Sequence, residues 1–228
     1  MPLDRHTQST TNPLLLIIPG LNDSGPGHWQ TRWEQVLPDA GRVELGMWDD
    51  PHRNTWVNQL NLAIHRADRP VVLVAHSLGC LTVAWWAQYE QPGPHGPVIG
   101  ALLVAPPDVD RPGLDPRLAR FSACPRRELP FPSVVAASRN DPYCQPRAAM
   151  ALARDWGSTF VDVGDHGHIN AQSNLGDWPA GQRLLARVIA EATGQIVPGA
   201  GAASDAPVRP NWSPVRWNGA WADPRNQS

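Results

Sequence analysis

The chain has 228 residues, 42% of them hydrophobic and 18% charged, with 19 basic against 21 acidic side chains and a net charge of -2. That length fits one globular domain with at most an appendage, and the near-neutral balance, with a pI near 6.4, argues against a protein devoted to neutralising nucleic acid or anionic lipid. The longest apolar runs, Leu14–Ile18 and Val71–Ala75, fall far short of the roughly 18 residues of a membrane span, and the start lacks the pattern of a secretory signal, so the expectation is a soluble cytoplasmic protein without nucleic-acid or membrane partners.

Residues 1–12 read as a loose N-terminus. From there short apolar runs alternate with segments of helical spacing, the pattern of repeated βα units. Leu14–Ile18 is continuous in apolar residues, as a strand buried on both faces should be, and ends in Pro19-Gly20. Trp29, Trp33, Val36 and Leu37 recur at helical intervals within His28–Leu37. A short strand is expected at Arg42–Leu45, a helix at Thr55–Ala67, a strand at Val71–Ala75 and a helix at Leu78–Tyr89. Strand Ile99–Val104 precedes a Pro- and Arg-rich irregular stretch, Pro106–Pro130. Strand Ser133–Ala137, helix Pro146–Trp156, strand Thr159–Val163 and helix Trp178–Ala192 complete the series. Six strands alternating with helices predict an α/β three-layer sandwich around a mainly parallel sheet, spanning residues 13–193. Residues 194–228 form a Pro/Gly/Ala-rich tail without periodic apolar residues.

Three biases of composition accompany this pattern. Every basic residue is Arg, Pro reaches 25, and Trp reaches 11 against 3 Phe and 2 Tyr. The three cysteines, Cys80, Cys124 and Cys144, cannot all pair within one chain and match no zinc or redox spacing; they read as reduced thiols.

Val71-Val72-Leu73-Val74-Ala75-His76-Ser77-Leu78-Gly79-Cys80 carries the chemistry. A buried strand runs into a serine flanked two residues away by small side chains, Ala75 and Gly79, and then into a helix, the setting of a nucleophile elbow. There Ser77 Oγ rises above the C-terminal sheet edge, and the Leu78 N–H lies at a helix N-terminus, where it can stabilise an oxyanion. A serine needs a base, and the base an orienting acid, in the chain order Ser, acid, His. Strand Ser133–Ala137 leads to Asp141, and strand Thr159–Val163 leads to His166 and His168, all at the same sheet edge. His168 is preferred because Gly167 precedes it; Asp108 and Asp110 compete with Asp141. The second oxyanion donor should come from the loop Pro19–Gly25, with the Leu21 N–H first choice and the Asn22 N–H second. Asn22 and Ser24 are candidates for binding substrate, the alternative reading being a turn.

These residues resemble the small serine hydrolases of the α/β-hydrolase superfamily, the group that includes the retinoblastoma-binding serine hydrolase and many short bacterial predicted esterases. The resemblance spans roughly Leu14–Glu191 and rests on Pro19-Gly20 followed by Ser24 and Trp29, on Ala75–Gly79, on Asn140-Asp141-Pro142, and on Gly167-His168-Ile169-Asn170 followed by Trp178-Pro179. It implies a triad of Ser77, Asp141 and His168, hydrolysis of carboxylic esters or amides of small acyl groups through an acyl-enzyme, and no metal or organic cofactor. Only Pro106–Pro130 lies where related hydrolases insert a lid, so a minimal fold without a large lid, and an open site, are expected.

Other roles exist for the same residues. Ser77 could be a helix N-cap, Asp141 an Asx turn before Pro142, and His166 with His168 a partial metal site; Trp85 and Trp86 read as core. A different class of function also fits the resemblance, a non-catalytic hydrolase-fold module that binds a protein. Trp212, Trp217 and Trp221 in the tail leave open a protein partner or self-association.

Overall fold

The computed structural model describes residues 12–194. The expectations for the start before Asn12 and for the tail after Gly194, with its three tryptophans, lie outside the described residues.

Six strands form one wholly parallel sheet: β1 (Leu14–Ile18), β2 (Ala40–Arg42), β3 (Val71–His76), β4 (Val98–Val104), β5 (Ser133–Ala137) and β6 (Thr159–Asp162). Their order across the sheet is β2-β1-β3-β4-β5-β6. The chain reverses direction across the sheet at β1, which pairs with β2 on one side and β3 on the other. In such sheets the crevice beyond the strand C-termini at the reversal is the natural ligand site, and it lies between the loop after β1 and the turn after β3.

Alternation along the strands fills both faces. Leu16, Ile18, Leu73, Ala75, Leu103 and Val135 pack with helices α2 (Arg53–His65), α3 (Leu78–Glu90) and α5 (Pro146–Asp155). Leu15, Ile17, Val72, Val74, Leu102 and Val134 face the other way, against α1 (Trp29–Val36) and α6 (Pro179–Thr193). Side chains that alternate by two on a strand must divide between faces, so an all-apolar run needs helices on both. This is the three-layer sandwich.

The boundaries depart from expectation where burial and pairing diverge. β2 lies at Ala40–Arg42 rather than Arg42–Leu45 because Ala40, Gly41 and Arg42 take the register against Leu15, Leu16 and Ile17. Val43 and Leu45 are buried, at 3% and 1% exposure, but beyond the strand, and apolar character reported their burial rather than the ladder. α1 begins one residue late because His28 is its N-cap, accepting the Gln30 N–H on Nδ1. The Pro106–Pro130 stretch contains a short helix, α4 (Pro116–Ala119), capped by Asp115. Leu118, Phe121 and Cys124 from this stretch join the α2–α3 cluster, so it packs as part of the body, and among the described residues no large lid is present. Among the described residues no helix is long and apolar enough to cross a membrane.

Candidate active site

β3 delivers Ser77 into a strained turn, with φ 53 and ψ -124, a region that residues with a Cβ seldom occupy. The serine precedes α3, yet its hydroxyl makes no capping bond; it meets His168 Nε2 at 2.7 Å instead. The helix can start so close to the sheet only because Gly79 has no side chain: a Cβ there would stand 2.6 Å from the Pro19 carbonyl and closer still to that of Ile18.

The acid comes from the loop after β5 and the base from the loop after β6. His168 Nδ1 lies 3.0 and 2.9 Å from the two oxygens of Asp141, and both side chains are largely covered, at 10% and 3% exposure. A carboxylate only accepts, so Nδ1 holds the proton and Nε2 offers its lone pair to the Ser77 hydroxyl. Asp141 Oδ1 also accepts the Tyr143 N–H at 2.8 Å, so the Asx turn and the contact with His168 exist together. The Tyr143 ring covers the imidazole with centroids 4.5 Å apart. Asp108 and Asp110 are engaged elsewhere: Asp108 Oδ1 accepts the Asp110 N–H, and the Asp110 carboxylate takes the Cys124 N–H and Arg126.

The loops carrying Asp141 and His168 are tied to each other by groups that sequence reasoning did not single out. Ser138 Oγ accepts the His166 N–H at 2.8 Å and donates to Asn140 Oδ1 at 2.8 Å. Asn140 Oδ1 also accepts the Gly167 N–H at 2.7 Å. Beyond the histidine, Asn170 and Ser173 form a capping box around a single 3₁₀ turn, and Ser173 Oγ donates to the His166 carbonyl. The Asn-x-x-Ser spacing was the available signal for that turn.

In the loop after β1, Gly20 lies against the elbow. The Asn22 N–H donates to the Trp48 carbonyl at 2.7 Å, which removes the second-choice oxyanion donor; the Leu21 N–H makes no hydrogen bond among the described residues. Asn22 is exposed at a positive φ of 64, open to a ligand. Ser24 is different: it is 2% exposed and its hydroxyl donates to Gln30 Oε1, so it holds the loop to α1 rather than facing substrate. Arg42 completes the anchorage, donating to both Asp23 oxygens, to the Ser24 carbonyl, to Glu34 and to Thr31 Oγ1. Burial works against its charge, but Glu34 and Asp23 outweigh that and raise its pKa.

Behind Ser77 two buried histidines stay neutral. Burial, followed by the nearby charges of His168 and Arg42, pushes His28 down to about 3. Burial, followed by His28 and His168, holds His76 well below the ordinary histidine value. Their rings meet edge to face at 4.7 Å. Cys80, Cys124 and Cys144 are free and buried. Burial raises all three thiols, Cys124 to about 12, far from the thiolate that reactivity requires. Among the described residues no three His, Cys, Asp or Glu side chains converge as a metal-binding group.

Comparison with known proteins bears on the family and the fold. No curated protein matches the chain by sequence. The chain is similar in structure to a YdeN-like hydrolase from Pectobacterium atrosepticum, with 32% identity and a TM-score of 0.68 over 82% of this chain and 94% of that one. The ydeN gene product of B. subtilis shares 19% identity and a TM-score of 0.61 over 78% and 100% of the two chains. Est1E from Butyrivibrio proteoclasticus, solved with ferulic acid bound, shares the fold at 14% identity and a TM-score of 0.58 over 79% and 90%. The family model described as serine hydrolase matches residues 15–187, and the chain belongs to that family.

Proposed function

We propose that this serine hydrolase cleaves carboxylic esters, and amides, of small acyl groups through an acyl-enzyme on Ser77. The observation that carries the reading is the unbroken file from the Ser77 hydroxyl to His168 Nε2 at 2.7 Å and from His168 Nδ1 to Asp141 Oδ2 at 2.9 Å. Attack by Ser77 Oγ on the acyl carbon passes the hydroxyl proton to Nε2, and Asp141 stabilises the imidazolium and keeps the ring in its productive tautomer. The Leu21 and Leu78 N–H groups receive the oxyanion. Collapse breaks the bond to the leaving alcohol or amine, which takes the proton from Nε2. Water then enters, gives its proton to the same nitrogen, attacks the acyl carbon and frees the carboxylic acid, with Ser77 reprotonated by His168.

Every step uses groups of this chain, and no metal or organic cofactor enters the mechanism. The leucine at each oxyanion donor contributes only its backbone to the oxyanion, and of the loop after β1 it is the exposed Asn22 that is left to meet substrate. Residues 106–130 pack into the body rather than standing as a large lid, which favours small or terminal acyl groups. Three buried, unpaired thiols accord with a reducing cytoplasm.

The test is turnover of p-nitrophenyl acetate and butyrate beside a Ser77→Ala control. Turnover that disappears with Ser77 supports the reading; a folded wild type no faster than the control favours the non-catalytic binding module.

A further inference from the structure

His76 touches neither Asp141 nor the Ser77 hydroxyl, yet its Nε2 lies 2.9 Å from the carbonyl oxygen of His168. A carbonyl only accepts, so Nε2 carries the proton and donates it. The next carbonyl, that of Ile169, accepts the Trp29 indole N–H at 2.8 Å. Two consecutive carbonyls of the loop that bears His168 are therefore held by side-chain donors that are 5% and 1% exposed. The two rings pack edge to face at 6.2 Å, so the two donors are neighbours in one packed cluster. On the other side of His168, the His166 and Gly167 N–H groups are held by Ser138 and Asn140.

We propose that His76, seconded by Trp29, is a positioning residue that sets the distance between Ser77 Oγ and His168 Nε2 by gripping the backbone of the base itself. The contacts close a ring: the peptide from His76 to Ser77, the hydroxyl to Nε2, the imidazole to its own carbonyl, and that carbonyl back to His76 Nε2. Moving His168 away from Ser77 would break the hydrogen bond from His76. His76 makes this bond as a neutral donor, because burial, followed by the proximity of His28 and His168, keeps the ring neutral. Proton transfer stays with His168.

The inference rests on the hydrolase reading and is separable from it. His76→Phe keeps an aromatic ring and removes the donor; His76→Gln places an amide N–H at similar reach; Trp29→Phe keeps an aromatic ring, smaller than the indole, and removes its donor. With p-nitrophenyl butyrate, His76→Phe should lower kcat by about 10–100-fold at a KM within about 3-fold, because misplaced reacting groups lose rate rather than ground-state binding. Trp29→Phe should cost about 3–10-fold, and His76→Gln should return to within about 5-fold of wild type with an unchanged pH profile. The downfield proton resonance of the bond from His168 Nδ1 to Asp141, readable without turnover, should broaden in His76→Phe and persist in His76→Gln. A folded His76→Phe with wild-type kcat and resonance overturns the proposal, as does His76→Gln losing as much as His76→Phe. If His76→Phe does not fold, Trp29→Phe decides: slowed kcat at constant KM upholds the clamp, and wild-type kcat overturns it. Absence of Ser77-dependent turnover in the wild type instead overturns the hydrolase reading, while the resonance still reports on the clamp.

Discussion

Gly20 lies so close to Ser77 that a Cβ on the glycine would stand 2.8 Å from the serine's own Cβ, 3.1 Å from the His76 carbonyl and 3.2 Å from the Leu78 nitrogen. The neighbours are backbone and a short side chain, so nothing flexible can yield. Gly20→Ala should fold, since the glycine is not among the positive-φ residues, but should lose roughly 10–100-fold in kcat/KM, the scale of an ångström-level misplacement of a nucleophile. Steady-state kinetics with a p-nitrophenyl ester checks this, and an unimpaired variant would mean that the elbow tolerates the shift.

Asp141→Asn should reduce kcat by about 10³–10⁴-fold without unfolding the protein, because an amide can stabilise the wrong imidazole tautomer. Asp108→Asn should stay within about 3-fold of wild type, its carboxylate having no contact with His168. The reverse pattern of hydrolysis rates would transfer the acid role to Asp108.

Ser138 is 1% exposed, and both of its hydrogen bonds serve the loops that carry Asp141 and His168. Ser138→Ala leaves the His166 N–H without its acceptor and should destabilise the fold by about 1–3 kcal/mol, read from the urea midpoint. Activity should fall further than the folded fraction accounts for, since the lost bonds lie between the acid and the base.

Arg42 is the shared partner of Asp23, Glu34, Thr31 and the Ser24 carbonyl, and it joins β2 and α1 to the loop after β1. Arg42→Met should cost about 1–3 kcal/mol, less than a fully buried ion pair because its partners keep some exposure. It should also slow catalysis by loosening the Leu21 N–H. Urea titration and kcat on the same preparation separate the two effects.

Stability should depend on pH through His28 and His76. Burial, with His168 and Arg42, sets the folded-state value of His28 to about 3, below the ordinary 6.5, and His76 shifts in the same direction. The unfolded chain therefore takes up protons first as pH falls. The stabilisation is fully present above about 6.5 and is lost progressively below it, by up to about 1.4 kcal/mol per pH unit for each histidine. His28→Asn keeps a capping acceptor for the Gln30 N–H and removes one titration. The slope of unfolding free energy against pH from 6 to 4 should flatten in that variant; an unchanged slope would mean that His28 does not titrate with unfolding.

The fold was legible because β1, β3, β4 and β5 are apolar runs between punctuating residues, and because Ala75 and Gly79 mark the small residues that an elbow requires. The strand ends also carried Ser77, Asp141 and His168 to one edge in the right order, and the structure joins all three side chains. What stayed hidden was long-range pairing of groups with ordinary local roles. Ser24 looked like a pocket residue because nothing local reveals that Gln30 will take its hydroxyl. Ser138 and Asn140 carry no local sign that they join two loops, to His166 and Gly167, 28 and 27 positions further along the chain. The tryptophans were a bias without a meaning until their indole N–H groups met loop carbonyls: Trp29 with Ile169, Trp33 with Asp177, Trp56 with Gly46, Trp85 with Phe121 and Trp156 with Pro125. An indole brings apolar bulk and one donor, which suits a protein that must bury loop backbone beside its sheet.

The central claim, that Ser77 is a nucleophile activated by His168, is tested most directly by treating the folded protein with a fluorophosphonate and locating the adduct by peptide mass spectrometry. The account predicts a single adduct on Ser77, formed slowly in Asp141→Asn and absent in Ser77→Ala. A folded wild type that resists the reagent, or carries the adduct on another residue, would contradict it.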